Sequence, residues 1–188
     1  MHLQIIIGSV RQGRAAKPVA DWAFTHAKQR DDMTVELVDL KNWPLPMFNL
    51  PKSPAAGDYE DEQQQRWAKS VERADAYLFV CPEYNHGYSA VLKNALDYVY
   101  AEWNRKPASI ISYGGAMGAR AVEQLRLSLI ALQVAPVPNA VHIAGVHKKI
   151  DHGAFNGDDR DTAQLQRSLD ELAWWGNALY WARKTTAK

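Results

Sequence analysis

The sequence predicts an α/β fold, in which a parallel sheet is covered by helices on both faces. Five short apolar segments rich in β-branched and aromatic residues alternate with segments of helical length. The apolar segments show little polar alternation, which is typical of strands buried on both faces. Because strands that alternate with helices are joined by right-handed crossovers, this order of elements predicts a parallel sheet.

The elements follow one another without an internal repeat. The predicted strands span Leu3 to Ile7, Val35 to Leu40, Ala76 to Cys81, Ala108 to Tyr113 and Ala140 to Ala144. The predicted helices lie at about residues 15–30, 60–74, 88–103, 118–134 and 161–184. Two irregular stretches, residues 42–59 and 147–161, are rich in Pro, Gly, Asn and Asp and predict loops. Long loops in such folds often border the ligand site.

Size and composition predict a single domain over residues 1–188. The chain is 47% hydrophobic and 23% charged, close to the average of soluble globular proteins. Its 22 Lys and Arg residues balance 21 Asp and Glu residues, so no basic field attracts nucleic acid or an anionic membrane. No apolar run approaches the roughly 20 residues that cross a bilayer, and no signal peptide is evident. We therefore expect a cytoplasmic protein with a small-molecule partner.

The sequence predicts neither a disulfide nor a metal site. Cys81 is the only cysteine, and its place in a predicted strand indicates a small apolar core residue. The six histidines are scattered, and His142, His147 and His152 lack a recognisable ligand pattern with an accompanying carboxylate. We expect no bound metal.

The last predicted helix has a strongly apolar face. Its apolar residues follow helical spacing at Leu165, Leu169, Leu172, Gly176 and Leu179 or Tyr180, and Trp174, Trp175 and Trp181 enlarge that surface. This pattern predicts packing against the sheet. A subunit interface is the alternative, since aromatic residues are enriched at interfaces.

The segment GSVRQGR, residues 8–14, lies between the first strand and the first helix. Such a turn brings unpaired backbone N–H groups and the positive end of a helix to one point, which suits a phosphate. It matches neither the dinucleotide pattern G-x-G-x-x-G nor the pattern G-x-x-x-x-G-K-[ST]. The Ser9 hydroxyl with the Arg11 and Arg14 guanidinium groups suits a terminal phosphate monoester. The alternative is an ordinary turn in which Ser9 caps the helix.

Two more turns follow the third and fourth strands. PEYNHGYSAVLKNALDYVYAEW begins at Pro82, and SYGGAMG begins at Ser112. In a parallel sheet both turns reach the carboxyl edge, where ligands of open α/β sheets bind. Backbone groups of PEYNHG can hydrogen-bond the polar edge of a flat heterocycle, with Tyr84 or Tyr88 near its face. Core packing is the alternative for these two tyrosines.

Together these segments resemble the NADPH-dependent FMN reductases and NAD(P)H quinone reductases of the flavodoxin-like superfamily. GSVRQGR, PEYN followed by G-x-x-x-x-L-K-N-A-x-D, and SYGGAMG resemble that family's three flavin loops in order and spacing. The resemblance covers nearly the whole chain. It implies a doubly wound, five-stranded parallel sheet of order 2-1-3-4-5, with FMN bound without a covalent link and NADPH or NADH as co-substrate.

The same resemblance implies a set of cofactor-binding residues. They are Ser9, Arg11 and Arg14 at the phosphate, Pro82, Glu83, Tyr84 and Asn85 at the ribityl chain and isoalloxazine, and Ser112, Tyr113, Gly114 and Gly115 beside the ring. The chain departs from many members at Arg14, where they have serine, although a branch resembling the fungal quinone reductases also has arginine. The family's dimers and tetramers imply a homodimer or homotetramer here, with Tyr98 to Trp103 as the candidate contact.

The implied reaction needs no catalytic side chain. Reduced nicotinamide passes hydride to flavin N5, and a small-molecule acceptor then takes the electrons in a ping-pong sequence. The acceptors implied are a quinone, an azo or nitro compound, a metal oxyanion or free flavin. Backbone N–H groups from Glu83 to Gly87 would stabilise charge on the reduced ring. His86 is either an exposed loop residue or a proton donor.

Two other functions compete with this one. A flavodoxin-type single-electron carrier would also bind FMN, but such carriers commonly have strongly acidic surfaces, whereas this chain is near neutral. A nicotinamide dehydrogenase could use Asp39 as a ribose ligand, but the missing G-x-G-x-x-G argues against it. The sequence therefore favours the reductase.

Overall fold

A computed structural model describes residues 1–186 and confirms the α/β fold. The strands are β1 His2–Ile7, β2 Thr34–Asp39, β3 Ala76–Pro82, β4 Pro107–Tyr113, β5 Ala135–Pro136, β6 Val141–Ile143, β7 Ile150–Asp151 and β8 Ala154–Phe155. The helices are α1 Ala16–Lys28, α2 Glu62–Glu72, α3 Ala90–Asp97, α4 Ala119–Ala131 and α5 Asp159–Thr186. The predicted domain also includes residues 187 and 188, which lie outside the described residues.

The main sheet is parallel and has the implied order 2-1-3-4-5. Its strands follow the order β2-β1-β3-β4, and β5 and β6 share the fifth position beside β4. β5 pairs with the beginning of β4 and β6 with its end, so the fifth strand is split. The sequence predicted only the β6 part, because Pro136 and Pro138 interrupt the apolar run and proline is disfavoured in strands.

Each face of the sheet is covered by its own hydrophobic layer. Alternate residues of β1 show the division: Leu3, Ile5 and Ile7 pack with α1 and α5, whereas Ile6 packs with α2, α3 and α4. All four side chains are fully buried, as expected for a strand covered on both sides. Among the described residues no helix combines the length and the apolar character needed to cross a membrane.

Helix α3 ends at Asp97, six residues before the predicted end. The chain beyond it turns inward, so Tyr98, Val99 and Trp103 are buried in the layer that contains α2 and α4. The indole of Trp103 lies 4.9 Å from the ring of Tyr77, centroid to centroid. The prediction that Tyr98 to Trp103 forms a subunit contact stays a prediction: Tyr98, Val99 and Trp103 belong to the core, whereas Tyr100, Ala101 and Glu102 are partly or fully exposed.

The predicted loop at residues 147–161 contains a small hairpin. Strands β7 and β8 pair antiparallel, and His152 and Gly153 form its two-residue turn. Both turn residues have positive φ, 46° and 82°, which suits the twist of a tight hairpin. Phe155 from this hairpin packs edge-on against Trp22 of α1, with 5.1 Å between ring centroids.

Candidate functional site

Three turns meet at the carboxyl edge of the sheet, as predicted, and enclose a cleft of about 220 Å³. They follow β1, β3 and β4. The walls are formed by Arg11, Gly13, Arg14, Ala15, Pro82, Glu83, Tyr84, Tyr113, Gly114 and His147. Most of the predicted site residues thus lie on one cleft, and His147 is an addition from a loop whose sequence carried no signal for it.

The first turn holds a row of unpaired backbone donors. Gly8 N donates to Val80 O at 2.9 Å, which fixes the start of the turn against β3. A Cβ at Gly8 would lie 3.0 Å from that same oxygen, so a larger residue would disturb the contact. From Val10 to Ala15 no backbone N–H donates to a residue that the structure describes. These groups precede α1 and are available to a ligand.

The two arginines of this turn have different surroundings. Arg11 is exposed on the cleft and pairs with no residue in the described part of the chain. Arg14 is 10% exposed and its guanidinium forms a two-point ion pair with Asp39, at the end of β2. It also donates to Ser9 O. Arg14 therefore braces the turn, and its predicted role as a phosphate ligand stays a prediction.

Asp39 is ionised by this arrangement. Burial alone would raise the pKa of Asp39, but hydrogen bonds from Arg14 and from Lys41 N outweigh burial, and the pKa lies below its ordinary value. The carboxylate faces Arg14, so it is already engaged where a dehydrogenase would need it for a ribose. This geometry weakens the dehydrogenase alternative.

Ser9 is joined to Tyr84 across the cleft. Its side chain is buried, and the two hydroxyl oxygens lie 3.0 Å apart in a shared hydrogen bond. Ser9 does not cap α1, because the N-cap position is Ala15 and no side chain caps it. Tyr84 therefore reaches from the second turn to the first, which places its hydroxyl beside the predicted phosphate position.

The second turn presents two free backbone amides. Tyr84 N donates to Gly87 O at 2.8 Å, and Gly87 N donates to Tyr84 O at 3.0 Å. Asn85 and His86 between them have φ of 49° and 70°, the conformation of a tight turn. Neither of their N–H groups donates to a described residue. Both side chains are exposed, which agrees with His86 as a loop residue.

Glu83 contributes a nearly buried carboxylate to the cleft wall. Its side chain is 4% exposed and accepts a hydrogen bond from Arg120 Nε at 2.7 Å. The hydrogen bond from Arg120 lowers the pKa of Glu83 below its ordinary value although burial opposes the shift. The second oxygen, Oε2, is buried and has no partner among the described residues. No pattern in the sequence indicated Arg120, which lies 37 residues further along the chain.

The third turn lies directly against the second. Gly114 has φ of 150°, and a Cβ there would come within 2.7 Å of the Glu83 Cβ. Glu83 N donates to Tyr113 O at 2.9 Å, which ties the two turns together. Tyr113 lines the cleft, and burial raises the pKa of its phenol. Glycine at 114 is thus required by close approach as well as by its backbone angle.

Ser112 stabilises the third turn through hydrogen bonds of its buried hydroxyl. It is fully buried, and its hydroxyl donates to Met117 O at 2.8 Å and hydrogen-bonds His142 Nδ1 at 2.9 Å. Ser112 is therefore absent from the cleft wall, as are Ser9, Asn85 and Gly115. For Ser112 the structure indicates a positioning role, whereas Asn85 and Gly115 are exposed at the rim.

The model of the NADPH-dependent FMN reductase family matches residues 1–148 of this sequence. The chain belongs to the NADPH-dependent FMN reductase family. The predicted family is confirmed, and with it the prediction of an oxidoreductase enzyme. Members of the family carry out flavin-dependent oxidation of NAD(P)H.

Known proteins of this family support the assignment. An NAD(P)H-dependent FMN reductase of Schizosaccharomyces pombe is 40% identical over 141 residues, 73% of this chain and 70% of the relative. Another from Saccharomyces cerevisiae is 33% identical over 183 residues, 92% of this chain and 93% of the relative. The solved structure of the flavoenzyme NAD(P)H:(acceptor) oxidoreductase FerB from Paracoccus denitrificans has a TM-score of 0.72 at 23% identity. That similarity covers 94% of this chain and 97% of FerB, and shows a shared fold.

The cleft of this FMN reductase family member fits a flavin mononucleotide. The first turn offers a free guanidinium and unpaired N–H groups to a phosphate, and the second offers two free amides to a polar ring edge. The unpartnered Oε2 of Glu83 is a buried acceptor in the wall between the second and third turns. The backbone N–H groups of Arg120 and Ala121 at the start of α4 also act on this carboxylate and help to lower its pKa.

The segment from Tyr88 to Asp97, which ends with the family motif L-K-N-A-x-D, supports neighbouring elements without lining the cleft. Asn94 is buried, accepts from Phe48 N at 2.8 Å and donates to Pro46 O at 2.8 Å, so it anchors the loop at residues 42–59. Ser89 caps α3 and donates to Gly8 O at 2.5 Å, which ties the second turn to the first. Tyr88 hydrogen-bonds Ser128 of α4 and stays away from the cleft. These supporting roles were not predicted.

Proposed function

We propose that this protein binds FMN in the cleft at the carboxyl edge and transfers hydride from NADPH or NADH to a small-molecule acceptor by a ping-pong mechanism. The observation that carries the proposal is the free guanidinium of Arg11 beside the unpaired N–H groups of Val10 to Ala15. A cation and several amides at one helix end suit one terminal phosphate. The other two turns lie where the rest of FMN must extend.

Arg11 and the first turn hold the phosphate in this proposal. Arg11 supplies two parallel N–H donors to the phosphate oxygens, and the amides of the turn take the remaining oxygens. Arg14 keeps the turn in shape through Asp39. Tyr84 Oη, which lies 3.0 Å from Ser9 Oγ, is positioned to join the Ser9 hydroxyl at the same phosphate.

The second and third turns hold the ring. The N–H groups of Asn85 and His86 donate to the polar edge of the isoalloxazine and stabilise negative charge there. Pro82, Glu83, Tyr113 and Gly114 form the adjoining wall. Bound FMN supplies the hydride chemistry, and the chain supplies position and electrostatics. No side chain of the cleft is needed as a nucleophile or a general acid.

Relatives indicate which acceptors to test. A quinone reductase of Pseudomonas putida is 26% identical over 180 residues. An FMN-dependent NADPH-azoreductase of Staphylococcus saprophyticus is 28% identical over 156 residues. We infer that quinones and azo compounds are the first acceptors to examine, followed by nitro compounds, metal oxyanions and free flavin. We further propose one domain over residues 1–188 that works in the cytoplasm as a homodimer or homotetramer.

The cofactor is tested by the absorbance spectrum of the purified protein and by titration of the apoprotein with FMN and FAD. We expect FMN to bind in preference to FAD, because FAD would have to extend its pyrophosphate past Arg11. Tight binding of FAD with no measurable affinity for FMN would contradict the proposal that the cleft binds FMN.

The reaction is tested by steady-state kinetics with a quinone and an azo dye. If nicotinamide and acceptor use the same open face in turn, double-reciprocal plots are parallel. Lines that intersect would exclude the ping-pong sequence. Negligible NAD(P)H oxidation by the FMN-loaded protein with every acceptor would instead support a single-electron carrier.

A further inference from the structure

One wall of the cleft comes from the loop after β6. His147 lies there, in a single 3₁₀ turn that spans Val146–Lys149, and its side chain is exposed on the cleft. The imidazole pairs with no residue in the described part of the chain. The other described residues of the wall belong to the turns after β1, β3 and β4. His147 is thus an added side chain from the fifth position of the sheet.

This loop lies on the face of the sheet that α1 covers. Val146, next to His147, is 5% exposed and belongs to the same hydrophobic layer as Ala16 and Val19 of α1. The first turn of the cleft precedes the amino end of that helix. His147 therefore enters the cleft from the side of α1, where the free N–H groups of the first turn also lie.

The loop is fixed before and after His147. Gly145 has φ of 59° and accepts a hydrogen bond from Lys148 N at 2.8 Å, which closes the 3₁₀ turn. Lys149 forms ion pairs with Asp158 at 2.8 Å and with Asp161 at 2.6 Å, near the start of α5. The Asp161 side chain is buried, so this attachment is firm. The backbone of His147 is held in place, whereas its side chain is left to a ligand.

The polar groups of the cleft wall favour an anion beside His147. Among the described wall residues Glu83 is the only carboxylate, and it is engaged by Arg120. Arg14 is neutralised by Asp39. The unpaired groups that remain are the guanidinium of Arg11, the imidazole of His147 and the N–H groups of the first turn. Donors that meet in one cleft without an acceptor suit an oxyanion.

We propose that His147 binds the same phosphate monoester as Arg11 and increases the preference of the cleft for FMN over riboflavin. This inference rests on the proposed function, because it requires the FMN phosphate at the first turn. A phosphate monoester has three terminal oxygens, and the Arg11 fork and the turn amides approach them from the β1 side. His147 donates an N–H from the loop after β6. An imidazole has one such donor when neutral and two when protonated, so it serves in either state.

Lys148 provides a matched control for charge. It is exposed on the same 3₁₀ turn and its ammonium pairs with no residue that the structure describes. Lys148 is absent from the cleft wall, although it directly follows His147. Lys148→Ala therefore removes a positive charge near the cleft without removing a donor from it.

Titration of the apoproteins with FMN and riboflavin tests the proposal. Riboflavin has the same ring and ribityl chain as FMN but lacks the phosphate. His147→Ala should raise the FMN dissociation constant about tenfold, at the lower end for a hydrogen bond to a charged group, because His147 is exposed. The riboflavin constant should change less than twofold. His147→Gln should recover part of the FMN affinity, since its side-chain amide keeps a neutral N–H donor.

The control variant and the wild type decide between the possible failures. Lys148→Ala should change the FMN constant less than threefold, and circular dichroism checks the fold of every variant. Equal losses for FMN and riboflavin in His147→Ala would overturn the proposal, as would FMN losses of the same size in His147→Ala and Lys148→Ala. If the wild type binds FMN no more tightly than riboflavin, the phosphate site of the proposed function is wrong and this inference fails with it. FMN selectivity that is present in the wild type and unchanged in His147→Ala would refute the role of His147 alone.

The 2′-phosphate of NADPH is the other phosphate that His147 could meet. At saturating FMN, we expect His147→Ala to leave the ratio of the KM values for NADPH and NADH unchanged. If KM rises for NADPH alone while the FMN constant stays at the wild-type value, His147 binds the co-substrate and the proposal is wrong. The ¹⁵N signals of the His147 imidazole, assigned by their loss in His147→Gln, give a direct readout. They should shift when FMN binds and stay in place with riboflavin, and equal shifts with both would contradict a phosphate contact.

Discussion

Arg14 and Asp39 form a two-point ion pair that joins the first turn of the cleft to the end of β2. Arg14 Nη1 lies 2.7 Å from Asp39 Oδ1, and both side chains are almost buried, at 10% and 13% exposure. The pair connects two neighbouring strands of the sheet at the point where a phosphate is proposed to bind. Because of this pair, Arg14 shapes the cleft, whereas Arg11 is left to face the proposed ligand.

Arg14→Ala should destabilise the fold. Removal of one partner leaves the Asp39 carboxylate nearly buried without a counter-charge, and breaking a buried pair costs about 3 to 5 kcal/mol. Because both side chains keep some contact with water, we expect a loss near the lower end of this range, measured by urea unfolding. Lys17→Ala is the control, since its exposed pair with Asp21 contributes at most about 1 kcal/mol. Equal unfolding midpoints for the two variants would contradict the structural role of Arg14.

The stability difference between wild type and Arg14→Ala should depend on pH. In the wild type the folded-state pKa of Asp39 lies below its ordinary value of 3.8, so its contribution to stability is present above that value. As the pH falls through the folded-state pKa, Asp39 takes up a proton and the contribution is lost. The unfolding curves of the two proteins should therefore converge as the pH falls from 3.8 through the lower folded-state pKa of Asp39. A constant gap across the acid range would show that Arg14 stabilises the fold without Asp39.

The sequence predicted the sheet and the place of the cleft because both depend on local patterns. Apolar runs of strand length mark β1, β3 and β4, and the glycine-rich segments that follow them must reach one edge of a parallel sheet. The partner of each polar side chain depends on strand order and could not be derived locally. Arg14 meets Asp39 because β1 and β2 are neighbours, and Ser9 meets Tyr84 because β1 and β3 are neighbours.

Packing explains most of the remaining differences. Tyr98, Val99 and Trp103 continue the helical pattern of α3 in the sequence, but the chain leaves the helix so that they fill the core between α2 and β3. Asn94 belongs to the family motif, but no role was predicted for it, and its amide is satisfied by the loop at residues 42–59. A buried amide takes whichever backbone groups lie nearest, and a sequence does not show which those are.

Gly118→Ala should lower the melting temperature much more than Gly57→Ala. Both glycines have left-handed φ, 77° and 72°, so the backbone strain is similar. At Gly118 a Cβ would also come within 2.7 Å of Tyr113 N and 2.6 Å of Ser112 Cβ, whereas at Gly57 nothing lies within 4 Å. We expect roughly 1 kcal/mol for Gly57→Ala and at least twice that for Gly118→Ala. Calorimetry measures both, and equal losses would exclude a steric role for Gly118.

Lys106 should make the folded state more stable as the pH rises above neutrality. Burial, reinforced by Arg183, lowers the pKa of Lys106 to about 8 from an ordinary value of 10.5. The unfolded chain therefore binds the proton more tightly, and the stability contribution of this group increases between about pH 8 and 10.5. The full effect is at most about 3.5 kcal/mol, because each pKa unit corresponds to about 1.4 kcal/mol.

Comparison with Lys106→Met isolates this group from the tyrosines that titrate nearby. We expect the stability of wild type relative to Lys106→Met to be greater at about pH 9.5 than at about pH 7, measured by urea unfolding at both values. The three acceptors of the ammonium group, Val71 O, Glu72 O and Tyr77 Oη, lose their partner equally at both pH values in the variant. If the stability of wild type relative to Lys106→Met were instead lower at about pH 9.5 than at about pH 7, the charged form of Lys106 would be better stabilised than its burial indicates.

Arg11→Ala should weaken FMN binding without altering the fold. Arg11 pairs with no residue in the described part of the chain, so its removal leaves no buried group unsatisfied. A hydrogen bond to a charged group contributes about 1.5 to 3 kcal/mol, which corresponds to a rise in the FMN dissociation constant of roughly tenfold to 150-fold. Activity should return at high FMN, since Asn85, His86 and Gly114 set the ring position. Arg11→Lys should recover only part of the affinity, because an ammonium lacks the planar fork.

Two controls separate a direct contact from a general effect of charge. Lys17→Ala removes one positive charge from the same end of α1, but the Lys17 ammonium is 2.6 Å from the Asp21 carboxylate and is directed along the helix. Its FMN dissociation constant should change less than threefold, in the range of screened surface charges. Fluorescence titration measures both constants, with circular dichroism to confirm folding. If Arg11→Ala and Lys17→Ala weaken FMN equally, Arg11 acts only through its charge; if neither changes the affinity, the phosphate does not bind at GSVRQGR.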